Sequence, residues 1–381
     1  MHRILPSAAP FPRVTRMQSN QRPIPAVYAR GGTSRAVIFQ RSALPADQDQ
    51  WKAIFQSVLG SPDPESKQLD GMGGGITSLS KIAVLSPSSR SDADVDYLFV
   101  QIEPTNGEML LDANCGNISS VVGPFAVDEG WVKPDAHGDA VVRIYNENTG
   151  KIIVSQFSLR DEPEARIAIA GVSGRAAPIM LRFEDPEGSA GRGGFPSGAR
   201  AQKLELCNGG SVQATLIDVN VPCALVLAED VGIVGDETYA ALSENKDFVA
   251  LMTEIRVAGA LAMGLCGTAQ EARTTLLNVP DVVVVSAPRT ARGHLTARFV
   301  SCDRPHRAAP VTSSMALAAA SRIPGTVAAR LLLTPPRGSI TIEHPSGTVE
   351  VAVELGDGDR VVATSTVRTA RRIMQGEVLV G

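Results

Sequence analysis

The sequence predicts an α+β chain built from two copies of one mostly-β unit, each with a helix among its strands. Three observations lead there. The stretches "VRIYNENTGKIIVSQF" and "ITIEHPSGTVEVAVEL" both read as strand, polar turn ending in Gly, strand. Each follows a short helix rich in Gly, Ala and Ser. The spacing also repeats: Gly150 follows Cys115 by 35 residues, and Gly347 follows Thr312 by 35. Self-similarity of this kind is the mark of an internal repeat. A helix of Ala, Ser and Gly has too little apolar bulk to be amphipathic on one side, and it fits a position closely surrounded by strands.

The elements follow in order. "PAVYARGGTSRAVIF" reads as strand, Gly turn, strand, and "DQDQWKAIFQSVLG" as a helix ending at Gly60. "KIAVLS" and "DVDYLFVQIE" are strands. A helix is expected from near Asn114 to near Gly130, capped by Asn114 or Asp112 and kinked at Pro124. The hairpin turn lies at Asn146–Gly150. "EDPEGSAGRGGFPSGAR", residues 184–200, reads as an inter-domain linker or mobile loop. Beyond it come the strands of "SVQATLIDVNVPCALVLA", a helix over about Lys246–Met263, strands at Val282–Ser286 and Thr296–Ser301, and the small-residue helix "TSSMALAAASRIPG". If the helices of the two units point their N-termini at a shared cleft, their free N–H groups and positive dipole ends form a carboxylate site.

Composition narrows the function. The 381 residues suggest two domains, and 44% hydrophobic with 20% charged residues is ordinary for a soluble globular protein. A net charge of −4 argues against nucleic-acid binding. No apolar run approaches the roughly 18 to 20 residues of a membrane span. Five cysteines (115, 207, 223, 266, 302) form no CxxC pair and read as reduced thiols in the cytoplasm, with no zinc site. Residues 1–46 hold seven Arg and no acid, which makes a mitochondrial targeting segment the alternative; three prolines before Arg13 favour a disordered tail instead.

Four places carry candidate chemistry. Cys115 lies at the start of the first small-residue helix, where a thiolate is favoured, although most free cysteines are buried packing residues. Lys81 follows "ITSLS" and precedes "IAVL"; if it shares a strand face with Leu79 and Ala83 it is a lone charge on an apolar side, fit to move a proton or hold a carboxylate. The alternative is an exposed amine at a strand end. The run Gly73-Gly74-Gly75 lacks the spacing of a phosphate loop or a dinucleotide fingerprint, but can bring backbone donors to an anion. "RGGTSR" offers two hydroxyls and two Arg forks, Arg30 and Arg35, or is simply a basic hairpin turn.

Together the motifs "RGGTSRAVIF", "DGMGGGITSLSKIAVL", "DANCGNISSVVGPFA", "LIDVNVPCALVLAEDVGI", "RVAGALAMGL", "HRAAPVTSSMALAAASRIPGTV" and "IEHPSG" resemble the 2-methylaconitate isomerase (PrpF-like) family, with diaminopimelate epimerase a more distant relative. They span about residues 25–350. The resemblance implies two pseudo-symmetric domains, each a β-roll or barrel wrapped around a central helix, with the active site between them. The division expected is a disordered tail over 1–21, a first domain over 22–188 to which the last strand (362–381) returns, and a second over 189–361. The implied chemistry is a cofactor-independent, metal-free 1,3-proton shift on an unsaturated di- or tricarboxylate, most simply an aconitate Δ-isomerase. A 4-oxalomesaconate tautomerase and a non-catalytic carboxylate-binding protein of the same fold are the alternatives; a homodimer is compatible with all three. Carried over residue by residue, Lys81 and Cys115 transfer the proton. Thr33, Ser34, Arg35, Met72, Gly73, Asn114, Gly116, Asn117, His306, Thr312, Ser313 and Ser314 line the substrate pockets. The chain departs from the epimerase pattern of one Cys per domain: its second helix opens Val311, Thr312, Ser313, Ser314. One thiol and one amine suit proton transfer at two different carbons better than at one.

Overall fold

The structure is a computed structural model that describes residues 21–160, 162–332, 336 and 338–381. The tail expected over 1–21 falls, but for Gln21, outside the described residues. Seven strands of the first half, Arg22–Gly31, Ser34–Gln40, Lys81–Pro87, Val95–Ile102, Asp139–Asn146, Lys151–Ser158 and Ile179–Glu184, pair in chain order. Their pairings run antiparallel, parallel, antiparallel, parallel, antiparallel, antiparallel. Seven strands of the second half, Ser211–Val219, Val221–Leu227, Asp281–Ser286, Leu295–Ser301, Ile340–His344, Gly347–Leu355 and Val361–Arg368, repeat that series. The repeat reaches small details: a two-residue strand pairs with the fourth strand of each half, Met109–Leu110 in one and Arg304–Pro305 in the other. The chain is therefore α+β with an internal duplication.

Each half winds around one small-residue helix, Gly116–Asp128 in the first and Val311–Arg322 in the second. Every residue from Val311 to Ser321 is buried. Small side chains let strand backbones approach, and serines in both helices return their hydroxyls to helix carbonyls: Ser120 to Asn117, Ser321 to Ala318. Apolar side chains of the strands complete the core: Val27, Ile144, Ile153 and Phe157 around the first helix, Leu225, Val283, Ile342 and Val351 around the second. The first helix runs on through Pro124 to Asp128.

The stretch 361–380 ties the halves together. Val361–Arg368 pairs with Gly347–Leu355 on one side and Ile179–Glu184 on the other. Its continuation, Ala370–Val380, pairs antiparallel with Arg22–Gly31, at the opposite end of the first ladder. The Gly-rich stretch 184–200 is pinned rather than free. The Ala190 amide donates to the buried Asp218 carboxylate at 2.8 Å, the Ser189 hydroxyl donates to it as well, and the Asp218 amide donates to Gly194 O at 2.9 Å. Among the described residues no helix is long and apolar enough to cross a membrane.

Candidate active site

The two central helices meet N-terminus to N-terminus. At Gly116 a Cβ would lie 2.6 Å from Val311 Cγ1, so only glycine lets the first turn of one helix rest on that of the other. Neither helix has a side-chain cap: Cys115 precedes the first and Pro310 the second. The expected cap on the first helix is thus corrected; Asn114 instead accepts from the Ser119 hydroxyl at 3.4 Å. The first intrahelical donors are Ser119 N to Cys115 O and Ser314 N to Pro310 O, both in the usual i to i−4 register. The N–H groups ahead of them, on residues 116–118 and 311–313, have no intrahelical partner. Gly116, Asn117, Val311 and Thr312 line a cavity of about 70 Å³ between the helix ends, and two positive dipole ends converge there.

Lys81 opens its strand and is 8% exposed. Leu79, expected on the same strand face, lies instead in a 3₁₀ turn, Thr77–Leu79. The ammonium donates to Gln101 Oε1 at 2.6 Å and stands 4.8 Å from the Phe99 ring centroid. Gln101 is itself oriented by donating to the carbonyls of Ser80 (2.8 Å) and Ile102 (3.1 Å). Among the described residues no carboxylate lies within ion-pair distance of this amine.

Asp281 is the matching residue of the second half. Both side chains open the third strand of their ladder, and both line the cavity. The Ser313 hydroxyl donates to Asp281 Oδ2, while Oδ1 is buried without a partner. Burial raises the carboxyl to about 6, against the lowering effect of the Ser313 and Ser301 hydroxyls and the Lys81 charge. Nearby, burial and then Asp281 push the Cys302 thiol up to about 12, which keeps it protonated. Burial and then the Lys81 charge hold His306 down to about 4, so its imidazole is neutral, with Nε2 unpartnered.

Asn117 fixes the opposite wall. Its Oδ1 accepts from the Thr33 amide at 3.3 Å and its Nδ2 donates to Thr33 Oγ1 at 3.1 Å. Gly32 turns at φ +50 to allow this, and a Cβ there would fall 2.0 Å from Asn117 Oδ1. Lys81, Cys115, Thr33, Ser34, Asn114, Gly116, Asn117, His306 and Thr312 thus share one cavity. Ser313 faces Asp281, and Ser314 closes back on Pro310 O at 2.6 Å.

Arg35, Met72 and Gly73 lie apart from that cavity. Arg35 stacks over Tyr28, 5.5 Å from the ring centroid. The amides of Met72 and Gly73 donate to Val58 O and Leu59 O, and the Gly75 amide to Gln68 Oε1. The glycine run lays its loop against the helix Trp51–Leu59, so these donors are already occupied and do not form the expected anion cradle. Arg30 is spent on its own turn, donating to Gly32 O and Thr369 O, both at 2.9 Å. Sequence reasoning missed Asp281, Gln101 and Cys302. A signal for Asp281 existed: "KIAVLS" and "DVVVVS" each open with a charge, continue apolar and end in Ser.

A family model described as PrpF protein matches residues 21–381. The chain belongs to the PrpF family. It is 37% identical over 373 residues to the (4E)-oxalomesaconate Delta-isomerase of Novosphingobium sp. (strain KA1), covering 96% of this chain and 99% of that protein. It is 34% identical over 379 residues to the 3-methylitaconate isomerase of Eubacterium barkeri (95% and 98% covered). It is 35% identical over 383 residues to the 2-methyl-aconitate isomerase of Cupriavidus necator (94% and 97% covered). Among solved structures, a methylitaconate-delta-isomerase superposes with a TM-score of 0.74 at 33% identity, covering 95% of this chain and 96% of that one. A hydroxyproline epimerase from Agrobacterium vitis shares the fold at TM-score 0.59 and 13% identity, with 95% and 94% covered. Like its PrpF relatives, the chain is an isomerase.

Proposed function

We propose that the cavity between the helix N-termini is the active site, and that it moves a carbon–carbon double bond by a 1,3-proton shift in an unsaturated tricarboxylate of the aconitate type. The observation that carries this reading is the convergence of two uncapped helix N-termini on the same cavity as a buried amine and a thiol. A proton that is α to a carboxylate and allylic to a double bond becomes acidic when the developing dienolate is held by fixed donors. The helix-end amides are such donors. Lys81 and Cys115 carry the proton, one removing it and the other returning it two bonds away. Asp281, titrating near 6, is a third proton-exchanging group, and neutral His306 is a further donor or acceptor. In the same reading, residues 22–188 form one domain and 189–361 the other, and 362–381 leads from the ladder of the second back to the first. Free thiols at all five cysteines favour a reducing compartment such as the cytoplasm.

The relative named for (4E)-oxalomesaconate supports oxalomesaconate as the second substrate to try. The test is proton NMR of cis-aconitate in D₂O with the wild type, Lys81→Ala and Cys115→Ser. The expected result is an isomer carrying deuterium at a methylene or vinyl carbon, with turnover falling by about 10²- to 10⁴-fold in each variant. Retained turnover in one variant removes that residue from proton transfer. Absence of both product and exchange with cis-aconitate and oxalomesaconate overturns the assignment of an aconitate-type tricarboxylate as substrate.

A further inference from the structure

A second, larger cavity of about 560 Å³ adjoins the first; Thr33 and Ala308 line both. Its unusual occupant is Arg368, the last residue of the strand Val361–Arg368, only 7% exposed. A buried guanidinium is normally matched by an anion or by several carbonyls, because its desolvation is otherwise uncompensated. Arg256, also buried, follows that rule. It donates to both carboxylate oxygens of Asp303, at 2.7 and 2.9 Å, and to the carbonyls of Ala272 and Leu276, at 2.7 and 2.8 Å. Among the described residues Arg368 donates to a single acceptor, Val367 O at 2.8 Å. Among the described residues no carboxylate lies within ion-pair distance of it, Glu350 on the exposed side of the cavity included. Burial alone, with no neighbouring anion to oppose it, brings its pKa down to about 10, so it remains a cation.

The surroundings suit a carboxylate. His344, 8% exposed, lines the same cavity, and burial with the nearby Arg368 charge holds it down to about 4 and hence neutral. Its Nδ1 accepts from the Ser346 amide at 3.3 Å, and a backbone hydrogen bond with Thr348 helps to hold the ring in place. The hydroxyl of Thr348 also lines the space, while Ile169, Ala309 and Val349 make its walls apolar. A fixed planar cation in such walls recognises a carboxylate through paired hydrogen bonds.

We propose that this cavity is a subsite for the substrate carboxylate farthest from the migrating double bond, with Arg368 as its specificity determinant. The inference rests on the isomerase reading of the adjoining cavity. Arg368 touches no reacting atom, so its loss appears in KM and in substrate preference rather than in kcat.

The test compares the wild type with Arg368→Gln and Arg368→Lys. Calorimetry reads binding of tricarballylate and glutarate, neither of which has a double bond to move. Kinetics reads cis-aconitate against a methylitaconate-type dicarboxylate. The expected result is that Arg368→Gln lowers the preference for three carboxylates over two by about 10- to 100-fold, with Arg368→Lys between it and the wild type. An unchanged preference in a folded Arg368→Gln protein overturns the proposal. Should that variant not fold, wild-type chemistry decides. Phenylglyoxal labelling at Arg368, read by mass spectrometry, is expected to be blocked by tricarballylate and not by glutarate; equal labelling under both overturns the subsite. Tricarballylate binding that depends on Arg368 without turnover of either acid leaves the subsite standing and refutes only the assignment of these acids as substrates.

Discussion

The two halves of the molecule share a strand order and a buried helix, yet they carry opposite charges at the same position. Lys81 opens the third strand of one ladder and Asp281 the third strand of the other. They are held differently: Gln101, opposite Lys81 in the ladder, accepts from its ammonium, whereas Asp281 is held by the hydroxyl of Ser313 on the second central helix. The helix ends diverge in the same way, with Cys115 before one and Pro310 before the other. The lesson is that duplication preserved backbone and burial, while the chemistry lay in the few side chains free to differ. A reaction at one carbon, attacked from two faces, calls for two similar groups. A shift between two carbons calls for unlike groups, and this cavity holds an amine, a carboxyl and two thiols, of which Cys302 is kept protonated by burial and by Asp281.

The sharpest way to break that comparison is at Asp281. If it is a working counterpart of Lys81, Asp281→Asn lowers kcat by about 10²-fold and removes a limb near pH 6 from the rate profile; an unchanged profile makes it structural only. Stability gives an independent reading. The folded-state pKa is raised, so the neutral carboxyl contributes its full stability below about pH 4, and that contribution is lost as pH climbs through 6. Chemical unfolding of Asp281→Asn is therefore expected to gain on the wild type between pH 4 and 7, by on the order of 2 kcal/mol.

A smaller effect tests the contact between the halves. Gly116→Ala drives a methyl into Val311, and urea unfolding should report a loss of about 1 to 3 kcal/mol. A neutral result would mean the helix ends can part freely. The smallest effect is expected at Asn117→Ala, which frees Thr33 and costs about 1 kcal/mol, with faster amide exchange over residues 32–34 and a KM raised a few-fold. Exchange unchanged there would show the turn to be held by its own backbone.

Much of the fold was legible because it rests on local chemistry. The Asn146–Gly150 turn, the Gly60 helix stop and the two small-residue helices each announce themselves within a dozen residues. The 35-residue echo foretold the duplicated ladder. Lys81 stood out as a lone charge ahead of an apolar run and Cys115 as a thiol at a helix start, and the family resemblance joined the two in proton transfer. Asp281 and Arg368 did not stand out, since a charge at a strand end looks ordinary until burial is known. The glycine run misled for a related reason. Bare backbone donors can serve an anion or a neighbouring helix, and only the tertiary placement of Trp51–Leu59 decides between them.

The pairing of Arg22 with Val380 has a consequence for how the chain is made. On the ribosome the strand Arg22–Gly31 emerges long before its neighbour Ala370–Val380, so the first ladder keeps an unpaired edge until that distant partner has been made. Such edges invite pairing with other chains, and contacts so distant in sequence form slowly. Arg371 and Arg372, on the late-arriving strand, are charges of the kind that keep an edge from pairing wrongly, and the first ladder is completed only after the whole of the second has been made.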